Sequence, residues 1–259
     1  MTDPNPEDVL LLASDAARLV LASGAETYRA EETAGAFCAA LGGVEAECYA
    51  TPTGVMLSFF GPDGRSRSIV RRIKGRSMSL ERIARIHALT RDLYAGRADF
   101  SQATAGLDEI ERLRGYPAAV TLAGAAAAAG FFTLLYGGTL NDALVAAPVG
   151  ALLSRLTRML SRQGISDFFT NIAGGALAAL VCLAAGLAGW ASSPDTAVIG
   201  SIMLLVPGVA ITNAIRDTIA GDLVAGVARG ADAFISAAGI SIGAGAAFGL
   251  WRLAGLGAA

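Results

Sequence analysis

Residues 117–136, PAAVTLAGAAAAAGFFTLLY, are 20 uncharged residues in a row, and they decide the class of the fold. A helix rises 1.5 Å per residue, so about 20 apolar residues span a hydrocarbon core of about 30 Å. The charge density changes at this run. Residues 1–116 hold 14 Lys and Arg with 16 Asp and Glu, whereas residues 117–259 hold only 6 of each. The whole chain is 54% hydrophobic, and its mean hydropathy is +0.53. The expected fold is a polytopic α-helical membrane protein with an N-terminal cytosolic α/β domain, divided into 1–116 and 117–259.

Apolar runs at 117–136, 139–153, 168–190, 196–213 and 231–250 predict about five spans. Arg112 and Arg114 precede the first, Arg155, Arg158 and Arg162 separate the second and third, and Arg216 and Arg229 separate the fourth and fifth. The other connections carry no Lys or Arg, so the positive-inside rule puts the N-terminus in the cytoplasm and the C-terminus outside an inner membrane. Gly239/Gly243 and Gly245/Gly249 form two GxxxG pairs, a spacing that lets helices approach closely in lipid.

In the front half, apolar spacing predicts helices over 9–20, from Ser23 to about Leu41, over 79–94 and over 100–114. Ser23 and Glu26 have the spacing of a capping box for the second helix. Alternation predicts strands over 44–51, 54–60 and 65–73, the last two joined by the turn Gly61-Pro62-Asp63-Gly64. Arg65, Arg67, Arg71, Arg72, Lys74 and Arg76 form a basic run that reads as a solvated strand face. Glu26, Arg29 and Glu32 are spaced for exposed ion pairs. His87 reads as a core or interface histidine.

Several function classes drop out. A net charge of −2 lacks the basic excess of a nucleic-acid binder. Cys38, Cys48 and Cys182 make no CxxC, and the single His87 offers no cluster, so neither metal nor cofactor is implied. No nucleophile–base pair or phosphate loop is visible, and the acidic N-terminus lacks the apolar core of a signal peptide. An enzyme is not expected.

The chemistry gathers in residues 204–217, LLVPGVAITNAIRD. Pro207 removes a helix donor and Gly208 loosens the backbone, so the fourth span should break there. Asn213, Arg216 and Asp217 follow at i, i+3 and i+4 on one helical face, and Asp222 comes next. An Arg beside an amide and a carboxylate can hold a substrate carboxylate together with an ammonium or proton. The alternative is that Arg216 and Arg229 anchor at the interface, paired with Asp217, Asp222 or Asp232. Asp142 and Asn171 are the remaining polar residues at membrane depth, and helix capping is the alternative for each.

Gly24-Ala25-Glu26-Thr27-Tyr28-Arg29-Ala30-Glu31-Glu32 resembles the front signature of the threonine/serine exporter family. Thr53-Gly54, Tyr136-Gly137-Gly138 with Asp142, and the run from Leu205 through Asp217 to Gly221-Asp222 fit the same family, in order, over residues 8–255. The resemblance implies export of small polar carboxylates, either threonine and serine or, in a split two-component form, succinate-like dicarboxylates. On a transporter reading the polar residues at the break, Asn213, Arg216, Asp217 and Asp222, lie near the pathway together with Asp142 and Asn171 at membrane depth, and Pro207 and Gly208 form the helix break. Gly24, Glu26, Thr27, Arg29 and Glu31 form the cytosolic motif. The chain is similar to the first component of the split form. The partners implied are a small, separately encoded membrane subunit, a small carboxylate and the bilayer, in an oligomer. The competing function is a non-transporting membrane scaffold or sensor whose soluble domain binds a ligand.

Overall fold

The computed structural model describes residues 4–75 and 77–256. Arg76, the end of the basic run, lies outside them. The chain divides into two compact units, one reaching Arg114 and adding Ile211–Gly230, the other comprising Gly115–Ala210 and the chain from Ala231 onward.

The first unit opens with α1 (Pro6–Ala22) and α2 (Thr27–Ala40). Asn5 caps α1 by accepting the Glu7 N–H, with Pro6 at the first helical position, where its missing donor costs nothing. Strands β1 (Glu45–Thr51), β2 (Gly54–Phe60) and β3 (Ser66–Arg72) form an antiparallel sheet in that order, with Leu57 opposite both Cys48 and Ile69. Val55, Leu57 and Phe59 are the buried alternate residues of β2. They join Val9, Val20, Phe37 and Ile86 in one core. Helices α3 (Leu80–Tyr94) and α4 (Phe100–Glu111) follow, capped by Ser79 and by an Asp99/Gln102 capping box. In the basic run, Arg67 pairs with Asp63, which it holds down to about 2, and Arg71 reaches Asp15. All three cysteines are free thiols, and burial pushes Cys38 and Cys48 up to about 12. His87 is half-buried, and burial with the nearby charges of Arg29 and Arg91 lowers its pKa.

The predicted capping box at Ser23 does not form. Ser23 closes α1 through its N–H to the Leu19 carbonyl, and Gly24 turns the chain at φ +92°. An L-residue would be strained there, and a Cβ would press on the Met78 side chain. Glu26 then occupies the N-cap of α2 without a side-chain cap bond, because its carboxylate faces guanidinium groups, which bind it more strongly than a neutral N–H does. Its ion pair with Arg29 is therefore not the exposed one expected, since Glu26 is buried.

In the second unit α5 (Ala118–Leu135), α6 (Leu140–Arg162) and α7 (Asp167–Leu187) are long and apolar enough to cross a membrane, as is α10 (Leu223–Leu253). With the N-terminal α/β elements, this is a polytopic helical membrane protein. Both α6 and α10 extend past the charged residues where the sequence reading stopped them. Arg, Leu and Met are good helix formers, and one charge does not end a helix. The predicted span 196–213 is not a single helix. Helix α8 (Pro194–Ile202) stops, residues 203–207 are non-helical, and α9 (Gly208–Ile219) resumes.

Small residues build the helix contacts of this unit: Ala129, Ala146, Ala178, Ala179 and Ala197 form its core with Val149 and Leu153. A Cβ on Gly243 would collide with the Ile172 carbonyl, and one on Gly239 would sit 2.9 Å from the Phe168 carbonyl. The first GxxxG pair therefore brings α10 against α7. Around Gly245 and Gly249 the space is open. Phe131, Leu135, Leu187, Phe234 and Leu250 are exposed, as side chains meeting lipid are.

Candidate functional site

Within the first unit, the start of α2 meets α9 and the turn into α10. Gly221, at φ +95°, ends α9, and the Asp222 N–H returns to the Asp217 carbonyl at 2.8 Å. This tight turn brings Asp217 and Asp222 to the same side chain. The chain then reverses, and Gly226 packs against Thr218, where a Cβ would clash.

The i, i+3, i+4 residues of α9 each find a partner about 190 positions earlier in the chain. Asn213 donates its amide N–H to the Gly24 carbonyl at 2.9 Å. Arg216 donates from Nη1 to Glu26 at 2.5 Å. Asp217 accepts the Thr27 backbone N–H at 3.3 Å, at the start of α2, where helix donors lack intrahelical partners. The Thr27 hydroxyl shares its one proton between Asp217 Oδ1 at 3.0 Å and Asp222 Oδ2 at 2.8 Å. Arg229 completes the group, with Nε 2.9 Å from Asp217 Oδ2 and Nη2 donating to the Ala25 carbonyl at 2.7 Å. The alternative reading of Arg229 as a partner of Asp217 describes it well.

Asp217 is fully buried, and its charge is tolerable there because of these donors and Arg229. Arg216 differs: its side chain is 58% exposed, leaving donors turned to solvent beside the Glu26 pair. Burial alone would push the Glu26 carboxyl up. Its own backbone N–H, Arg216 and Arg29 outweigh burial and hold it below the usual carboxylate range. Glu31 is raised instead, by burial and then by the charges of Asp222 and Asp217, although it accepts the Ala50 N–H at 2.8 Å. Arg29 bonds Glu26 at 2.8 Å and lies 5.4 Å from the Tyr28 ring centre.

Asp142 and Asn171 belong to the second unit. Asp142 forms a reciprocal capping box with Thr139, and its other oxygen accepts the Ser193 N–H at 2.8 Å, tying the start of α6 to the residue before α8. Asn171 is buried in α7, with its Cβ toward Gly239. Pro207 lies in the non-helical break, and Gly208 opens α9. Among the described residues, no group of three or more His, Cys, Asp or Glu is placed to hold a metal ion.

The sequence reading treated the α2 motif and the α9 face as separate groups. It missed that Ala25 and Gly24 contribute backbone carbonyls and that Thr27 touches both aspartates. Periodicity marks one face of one helix and cannot match two faces this far apart in the chain.

The putative threonine/serine exporter family matches residues 11–251. A probable threonine/serine exporter of Mycobacterium tuberculosis is 30% identical over 243 residues, covering 93% of this chain and 46% of that protein. A threonine/serine exporter of Corynebacterium glutamicum is 28% identical over 174 residues, 64% of this chain and 35% of the relative. The chain thus spans less than half the length of either relative. No solved structure matches it. Both relatives carry the matched region within one polypeptide, which overturns the expectation of a small, separately encoded membrane subunit. With its matched residues reaching from α1 into α10, the chain belongs to the putative threonine/serine exporter family.

Proposed function

We propose that this chain exports small zwitterionic amino acids of the threonine and serine type from the cytoplasm, with Asn213, Arg216, Asp217 and Asp222 at its cytoplasmic recognition site. One observation carries the reading: the polar face of α9, directly after the helix break, converges with the α2 motif on a partly buried charge cluster whose Arg216 stays exposed. A scaffold that only anchors has no use for a broken apolar segment followed by such a cluster.

The charge balance favours a zwitterion over a dicarboxylate. Glu26, Glu31, Asp217 and Asp222 supply four carboxylates against the guanidiniums of Arg29, Arg216 and Arg229. A dianion would meet a site already rich in negative charge. A zwitterion can set its carboxylate on the exposed side of Arg216 and its ammonium on Asp222. Both relatives are threonine/serine exporters by name, which supports the same substrates.

In the proposed topology, residues 1–116 and the α9–α10 turn lie in the cytoplasm, and α8 with α9 completes a fifth crossing. Grouping of Ile211–Gly230 with the N-terminal unit supports this, as does the arginine distribution. The test is reconstitution in liposomes loaded with labelled threonine, serine or succinate. Threonine and serine should leave faster than succinate. Preferential succinate efflux would overturn the substrate assignment, and threonine binding without any flux would favour the sensor reading.

A further inference from the structure

The groups that α2 presents to α9 are those of a hydroxy amino acid. Glu26 supplies a carboxylate to Arg216, the Thr27 backbone supplies an N–H to Asp217, and the Thr27 side chain supplies a hydroxyl to Asp217 and Asp222. We infer that Glu26 and Thr27 are a tethered surrogate ligand that fills the recognition site when no amino acid is bound; this rests on the site assignment in the proposed function. Every one of these contacts lies within the first unit and joins residues about 190 positions apart. Local folding of α2 does not require them, since a helix can start on a solvated N-cap.

The surrogate is imperfect in a way that lets it yield. Its nitrogen is a neutral amide, whereas a free amino acid brings an ammonium, which forms a charge-assisted and stronger bond with Asp217 or Asp222. Its advantage is the tether, which supplies an effective concentration of about millimolar. Free threonine must reach a comparable concentration to displace it. The consequence is a threshold: the site stays self-occupied at low cytoplasmic amino acid and opens on accumulation, as suits an exporter that should not drain a working pool. Displacement also frees the first turn of α2 from α9.

The experiment uses the full chain in lipid nanodiscs and calorimetric titration with L-threonine. Thr27→Val removes the tethered hydroxyl while leaving Arg216, Asp217 and Asp222 in place, and should tighten threonine binding about fivefold. Thr27→Ser keeps the hydroxyl and should bind as the unaltered chain does. Hydrogen exchange on the unaltered chain gives a readout that needs no variant: threonine should speed exchange of the amides of residues 27–30, and valine, which lacks the hydroxyl, should do so less. Weaker or unchanged binding by Thr27→Val, or exchange slowed by threonine, would overturn the surrogate. Arg216→Lys separates the two ideas. If it leaves threonine affinity unchanged, the site assignment itself fails; if it weakens binding while Thr27→Val has no effect, only the surrogate does.

Discussion

Asp217, fully buried on α9, lies 2.9 Å from the Nε of Arg229 on α10, and this pair closes the α9–α10 turn over the start of α2. The Arg229 side chain is itself only 11% exposed. A buried pair of this kind is costly to break, because the remaining charge stays out of water. Asp217→Asn keeps an acceptor for Thr27 but removes the countercharge. It should lower stability by about 3 kcal/mol, read as a lower thermal midpoint in detergent. An unchanged midpoint would mean that the pair adds nothing to folding.

Arg216 is the exposed cation of the cluster, and a lysine there would keep the charge but lose the planar fork that grips a carboxylate at two points. Arg216→Lys should cut threonine efflux about tenfold with the amount of protein in the membrane unchanged, a loss of roughly 1.4 kcal/mol in recognition. Near-normal efflux would remove Arg216 from the pathway.

The raised pKa of Glu31 has a definite sign. A carboxyl whose folded pKa lies above its unfolded value costs stability once ionised, so the cost appears as pH rises from 4.5 through the folded pKa. Gln at this position still accepts the Ala50 N–H and carries no charge beside Asp217 and Asp222. Glu31→Gln should therefore raise the thermal midpoint near about pH 7.5 and change nothing near about pH 4. A destabilising effect at neutral pH would show that the Glu31 charge is favourable there.

Two glycines of α10 separate packing from composition. Gly243→Ala would drive a methyl into the Ile172 carbonyl, at a cost of about 1–3 kcal/mol in the α7–α10 contact. Gly245→Ala meets open space and should be neutral or slightly stabilising, since alanine is the better helix former. Equal midpoints for the two variants would contradict the close approach.

Topology is read with single cysteines at Ser161→Cys and Ser192→Cys, in a background lacking Cys38, Cys48 and Cys182. An impermeant thiol reagent applied to intact cells should label position 192 and leave 161 silent. The reverse pattern would invert the orientation.

Much of the membrane half was legible because lipid imposes a one-dimensional rule. A span must satisfy its own backbone and be apolar for about 20 residues, so 117–136 gives α5 almost to the residue. Pro207-Gly208 marked the break for the same local reason. What local pattern could not give was the length of α6 and α10, since charged residues continue a helix as readily as they leave a membrane. The Ser23–Glu26 capping box failed because Ser23 ends α1 and Gly24 turns the chain at φ +92°, so α2 begins only at Thr27; Glu26, at its N-cap, pairs instead with Arg29 and with Arg216 from 190 residues away. Spacing placed Asn213, Arg216 and Asp217 on one face, because 3.6 residues per turn is a property of the sequence. Which groups that face meets, Gly24, Glu26 and Thr27, depends on a fold that returns residues 211–230 to the N-terminal unit, and only the tertiary structure decides that.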